Sequence, residues 1–147
     1  PRARAWREIN GYQVPTQLHG TAPGADPWLM DETFLPRLGL KGRGAAEWLA
    51  AAGVGLPAAP NAWRHGAPGL RVARLGAQDF LLEADDEAGG VALTRLAAQW
   101  SADSGRRGQL VPRQHALASL VVGGARSTEL LARLCAVDLR PGRFGTH

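Results

Sequence analysis

The side chains best suited to chemistry in this sequence are His19, His65, His115 and His147, the single Cys135, and the carboxylates Glu83, Asp85, Asp86 and Glu87. Histidine titrates near neutral pH and is the commonest metal ligand. No two of the four stand at the His-x-x-x-His spacing that sets two imidazoles on one turn of a helix. One cysteine excludes an intramolecular disulfide and any thiolate cage. Cys135 falls on the apolar side of a helical pattern, so it reads as a packed core thiol rather than a nucleophile. The four carboxylates have the chemistry to hold a cation. They also lie where a strand gives way to a helix, and acids there favour the positive end of the helix dipole, so they read as a solvated junction.

Two further features have binding chemistry. Gly39-x-x-Gly42-x-Gly44 stands between a strand and a helix, as phosphate-cradling loops do. It lacks the fuller nucleotide signature and reads as a tight structural turn. Trp63 lies in a proline-rich stretch beside Asn61 and Arg64, and loops carry binding residues disproportionately. With Arg71, these make up the candidate ligand or partner contacts: Asn61, Trp63, Arg64 and Arg71. The sequence offers no catalytic set and no metal site.

The elements that must position these residues follow from periodicity and turn chemistry. Residues 1–27 carry turn signals (Asn10-Gly11, Gly20, Pro23-Gly24, Asp26-Pro27) with little periodicity, and read as an extended N-terminal arm or loop. Leu38 to Leu40 is a short strand. After it, Ala45, Trp48, Leu49 and Ala52 fall on one helical face, with Gly53 and Gly55 as stop signals. Residues 57–69 read as a loop. Leu70 to Leu75 and Phe80 to Glu83 form a hairpin, and Leu93, Leu96, Ala97 and Trp100 mark a second helix. Leu110-Val111 and Leu120 to Val122 are short strands. A third helix spans about 125–136, with Ser127, Leu130, Leu131 and Leu134 facing inward.

The strand–turn–helix pattern recurs. Leu38-Gly39-Leu40-Lys41-Gly42 matches Leu120-Val121-Val122-Gly123-Gly124 at a separation of 82 positions, and Trp48, Leu49 and Ala52 meet Leu130, Leu131 and Leu134 at the same separation. A period this long does not fit a solenoid and argues for a duplicated α+β domain about a pseudo-twofold axis. The expected layout is the arm 1–27, then a single duplicated domain over 28–147, with a first repeat at 28–105 and a partial second repeat at 106–147. By the first repeat's layout, about 45 residues more would complete the second.

Bulk properties narrow the class. The 147 residues are 45% hydrophobic, with mean hydropathy −0.17, which suits a globular domain. No stretch approaches the roughly 20 apolar residues of a membrane span. Residues 1–11 have three arginines but no apolar run of a signal peptide, and the expected compartment is the cytoplasm. The net charge of +4 comes from scattered arginines with Lys41 as the only lysine. That pattern gives no stripe for phosphates, so neither nucleic acid nor membrane is an expected partner.

On these residues the chain resembles the gamma subunit of heterotetrameric sarcosine oxidase. The resemblance rests on Val122-Gly123-Gly124-Ala125, Leu130-Leu131, Leu134-Cys135-Ala136-Val137-Asp138-Leu139 and Phe144-Gly145. Upstream it includes Gly39 through Leu49, Pro60-Asn61-Ala62-Trp63, and Arg74 through Glu83. It covers roughly residues 31–145. The resemblance implies a fold similar to the folate-binding domain of glycine-cleavage aminomethyltransferase. In that enzyme a segment corresponding to Gly66 through Arg71 bears the catalytic aspartate. Arg71 stands here in its place, and a permanently protonated guanidinium cannot do a carboxylate's work. The resemblance therefore implies a non-catalytic gamma-type subunit or accessory domain in one-carbon, folate-linked amine metabolism. Its partners would be flavin-bearing and folate-binding sister subunits of an oxidoreductase complex. Tetrahydrofolate is the cofactor left open. The alternative is a stand-alone folate-binding, aminomethyltransferase-like protein.

Overall fold

The computed structural model describes residues 2–19, 24, 26–102 and 108–139. They form nine strands and three helices, a mixed α+β chain. It divides into two compact units, one drawn from residues 1–34 and 118–146, the other from 35–117.

The second unit is built on a five-stranded antiparallel sheet. Its strands are β4 (Arg37–Lys41), β5 (Ala62–Ala67), β6 (Leu70–Gly76), β7 (Asp79–Ala84) and β8 (Gln109–Pro112), in the order β5-β6-β7-β4-β8. Two helices, α1 (Ala45–Ala51) and α2 (Glu87–Ala102), complete it. Alternation along β7 buries Phe80, Leu82 and Ala84, and the residues opposite them in register, Leu40 and Val72 among them, share that face. Leu49 of α1 and Leu93, Leu96 and Trp100 of α2 close the core. Trp48 meets Trp100 edge-to-face at 5.0 Å between ring centres. Every fully buried hydrophobic residue among those described belongs to this unit.

Local chemistry explains the joints. The Gln78 side chain accepts from the Ala46 amide at 3.1 Å and its main-chain carbonyl from the Gly42 amide at 2.8 Å, so the β6–β7 turn caps α1. Asp86 Oδ1 accepts from the Gly89 amide at 2.8 Å at the start of α2. Arg74 donates to the carbonyls of Pro57, Ala58, Gly76 and Ala77, and its guanidinium lies 5.6 Å from the centre of the Phe80 ring.

The first unit has two short sheets and a helix. β1 (Arg2–Ile9) and β2 (Tyr12–His19) form a hairpin across Asn10–Gly11, and β3 (Trp28–Asp31) pairs with β9 (Leu120–Gly123), which leads into α3 (Ser127–Leu134). Asn10 (φ 52) and Gly11 (φ 80) supply the two positive φ angles that a two-residue turn of matching twist requires. Asn10 Nδ2 donates to the Phe34 carbonyl at 2.8 Å. None of this unit's residues whose side chains are described is buried.

Several sequence expectations need correction. The stretch expected as a loop over 57–69 contains β5. Its short apolar content hid it, and its strand character comes from pairing with β6 rather than from propensity. Within the arm, residues 2–19 are extended, but as a paired hairpin rather than a loop. Leu134 is 71% exposed, and Leu130 and Leu131 are only half-buried, because no second layer covers α3 among the described residues. Cys135 is exposed and follows α3, its thiol donating to the Leu131 carbonyl at 3.3 Å, so it is not a core thiol. His147 and Phe144-Gly145 lie outside the described residues.

The two strand–turn–helix segments repeat their hydrogen bonds at the 82-residue separation. The Ala45 amide donates to Gly42 at 3.1 Å and the Ser127 amide to Gly124 at 3.1 Å; the Trp48 amide donates to Gly44 at 2.9 Å and the Leu130 amide to Arg126 at 3.1 Å. Gly42 (φ 117) and Gly124 (φ 101) share the left-handed turn that only glycine adopts without strain. The preceding strands cross over: β3, just before β4 in sequence, pairs with β9, while β8, just before β9, pairs with β4.

Candidate functional site

The outer face of the second unit's sheet, opposite its helices, gathers several of the chemistry-bearing side chains. Register sets His65, Arg71, Glu83 and Arg37 in one row across β5, β6, β7 and β4. Residues directly opposite in an antiparallel pair share a face. The adjacent row runs Trp63, Ala73, Leu81 and Gly39, which gives small residues beside one large ring.

At the centre of the first row, the Asp85 carboxylate just beyond β7 forms an ion pair with the Arg71 guanidinium and lies 3.4 Å from His65 Nδ1. The Trp63 ring stands edge-on to the His65 imidazole at 5.5 Å between centres. Trp63 is 44% exposed and His65 is exposed, whereas Arg71 is half-buried and the Asp85 side chain is 28% exposed. With Nδ1 facing the Asp85 carboxylate, the imidazole Nε2 points away from it. At the far end of the row Arg37 is only 6% exposed; its Nη1 donates to the Leu117 carbonyl at 2.8 Å, and its amide to Gln114 Oε1 at 3.0 Å. An aromatic ring, an oriented imidazole and a carboxylate-bound arginine on one sheet face have the composition of a contact surface.

The four candidate residues separate. Trp63 and Arg71 join this face. Arg64 lies opposite Val72 and turns to the other side, its guanidinium carbon 3.5 Å from where a side chain on Gly55 would begin. Asn61 (φ 61) is the turn before β5, its amide donating to the Arg74 carbonyl at 2.7 Å. His65 and Asp85 were not singled out as site residues from sequence. Recognising β5 as a strand would have exposed them, because Trp63 and His65 are two apart and therefore on one face. Arg71 pairs with the carboxylate of Asp85.

The other candidates resolve locally. The glycine turn after β4 has its Gly42 and Ala46 amides taken by Gln78, which agrees with the structural reading. Among the described residues no group of three or more histidine, cysteine, aspartate or glutamate side chains has a metal-holding arrangement. Nor, among them, is any helix long and apolar enough to cross a membrane.

No family model and no curated protein matches this chain. Among solved structures, it is similar to a chain of the heterotetrameric sarcosine oxidase from Corynebacterium sp. U-96 in complex with pyrrole 2-carboxylate. The two share 30% sequence identity at a TM-score of 0.60 over 82% of this chain. The chain spans 61% of the length of that oxidase chain. In sequence and in fold, this protein is like a subunit of a heterotetrameric sarcosine oxidase.

Proposed function

We propose that this chain is a non-catalytic, gamma-type accessory subunit of a sarcosine-oxidase-like complex, with flavin and folate chemistry carried by sister subunits. The observation that carries this reading is the 30% identity to an oxidase chain over 82% of the sequence. The site composition supports it. Arg71 is paired with Asp85, and neither serine nor cysteine adjoins His65 in the sheet register. What the outer face offers is a contact surface centred on Trp63, His65 and Arg71.

We further propose that the chain is internally duplicated in the manner of the folate-binding domain of aminomethyltransferases. The matching hydrogen bonds at an 82-residue separation and the crossed pairing of β3 and β8 support this. In the first copy, β7 lies on the free side of β4 and α2 covers the sheet. The corresponding cover for β9 and α3 is then a β7-like strand and an α2-like helix.

Co-expression of the full-length gene product with flavoprotein subunits of a sarcosine-oxidase-like complex tests the assignment. The account expects a stable complex that Trp63→Ala weakens without lowering the melting temperature of the isolated chain. A protein that stays alone and binds tetrahydrofolate tightly would instead be the stand-alone folate-binding type.

A further inference from the structure

Among the described residues, the strands of the β1–β2 hairpin pair only with each other. A two-stranded ribbon is marginal by itself in water. Its two edges are chemically different. The Ile9–Tyr12 pair closes the two-residue turn, and a closing pair of that kind exchanges both main-chain hydrogen bonds. Bonding alternates along an antiparallel ladder, so Arg7–Val14 is bonded and the main-chain groups of Glu8–Gln13 and Trp6–Pro15 point outward. On β2 the outward position at Pro15 has no N–H, which is how natural sheets guard an edge. On β1 the outward N–H and C=O groups of Trp6 and Glu8 are intact.

Side chains along the open edge favour one kind of occupant. Trp6 is 59% exposed, and Arg4 and Arg7 are exposed. The acid on this strand, Glu8, accepts from the Gln13 side chain at 3.4 Å. The hairpin sequence has three arginines against one glutamate and no aspartate.

We propose that the β1 edge at Trp6 and Glu8 is a strand-addition site that takes an extended, acidic segment of a sister subunit. Main-chain hydrogen bonds supply the register, Arg4 and Arg7 the charge selection, and Trp6 an apolar contact. The accessory-subunit reading identifies where the segment comes from; the chemistry of the edge does not depend on it.

Two proline variants of the full-length protein separate the edges. Glu8→Pro removes an outward donor from β1, and Gln13→Pro removes its counterpart on β2, while neither donor belongs to the ladder between the strands. The probe is an eight-residue peptide of alternating glutamate and valine, with a lysine–valine peptide as control. Amide exchange at Trp6 and Glu8 should slow on adding the glutamate peptide, with Gln13 unchanged. Glu8→Pro should weaken peptide binding and subunit assembly about tenfold, the scale of one unmade hydrogen bond, and Gln13→Pro should leave both intact. The double variant Arg4→Glu, Arg7→Glu, which alters no main-chain group, should abolish the preference for the acidic peptide. Absent protection, equal binding of the lysine peptide, equal effects of the two prolines, or assembly indifferent to Glu8→Pro would each overturn the proposal. Edge protection by the peptide in a protein that joins no flavoprotein subunit would overturn the accessory reading and leave the strand-acceptor chemistry standing.

Discussion

Arg74 shows how much structure one side chain organises. Its guanidinium satisfies carbonyls from residues 57 and 58 on one side and from the β6–β7 turn at 76 and 77 on the other. Arginine's fixed fork of donors suits that task, and lysine cannot reproduce it. Arg74→Ala should cost about 2–3 kcal/mol, since several carbonyls lose a charged donor together, and Arg74→Lys should recover only part of it. Chemical denaturation of the two variants checks this. Arg71 is a different case. Its pair with Asp85 is half-exposed, so Arg71→Ala should cost only about 1 kcal/mol. The same variant should still give no aminomethyl transfer to tetrahydrofolate. Turnover by the parent chain that disappears on mutating His65 or Asp85 would remove the non-catalytic reading. At this scale the sequence was a partial guide. Trp63 and Arg71 were visible from residue type and neighbours, while the join between His65 and Asp85 depends on strand register across 20 positions, which no local pattern contains.

The elements of the second unit were the most legible. The α1 face, the glycine turn before it and the β6–β7 hairpin are set by local periodicity and turn residues, and tertiary structure agrees with each. β5 was hidden because Ala62, Trp63, Arg64, His65 and Gly66 offer little strand propensity. Gly66 is there for closeness: a side chain would begin 2.5 Å from a Val72 methyl and 2.9 Å from the Gly55 carbonyl. The buried side of α3 was misjudged for the opposite reason. Its pattern matches α1, but burial depends on what lies across from it. Leu49 is 1% exposed and its 82-residue counterpart Leu131 is half-buried. Leu49→Ala should therefore cost about 2–5 kcal/mol in the isolated chain. Leu131→Ala should cost clearly less there, and should approach the Leu49 value once α3 is covered in the assembled protein. Thermal melts of both variants, alone and in complex, measure the difference. Equal losses at both positions in the isolated chain would contradict the burial assignment.

At the scale of the molecule, two units differ in what they bury. The unit spanning 35–117 has a complete core beneath a five-stranded sheet. The other holds Trp28, Leu29, Met30, Leu120 and Leu134 at exposed positions on short paired strands and a helix. The α+β class and the 82-residue recurrence could be read from glycine turns and helix faces. The crossed pairing of β3 and β8 could not, since it rests on contacts between segments about 90 and about 70 residues apart. The most direct test of the central claim is purification of the tagged full-length protein at native expression levels, followed by size-exclusion chromatography with flavin absorbance recorded. An accessory subunit should elute with a flavin-bearing partner in fixed proportion, and Trp63→Ala should shift it toward the free chain. Elution alone, without flavin and with tight tetrahydrofolate binding, would contradict the account.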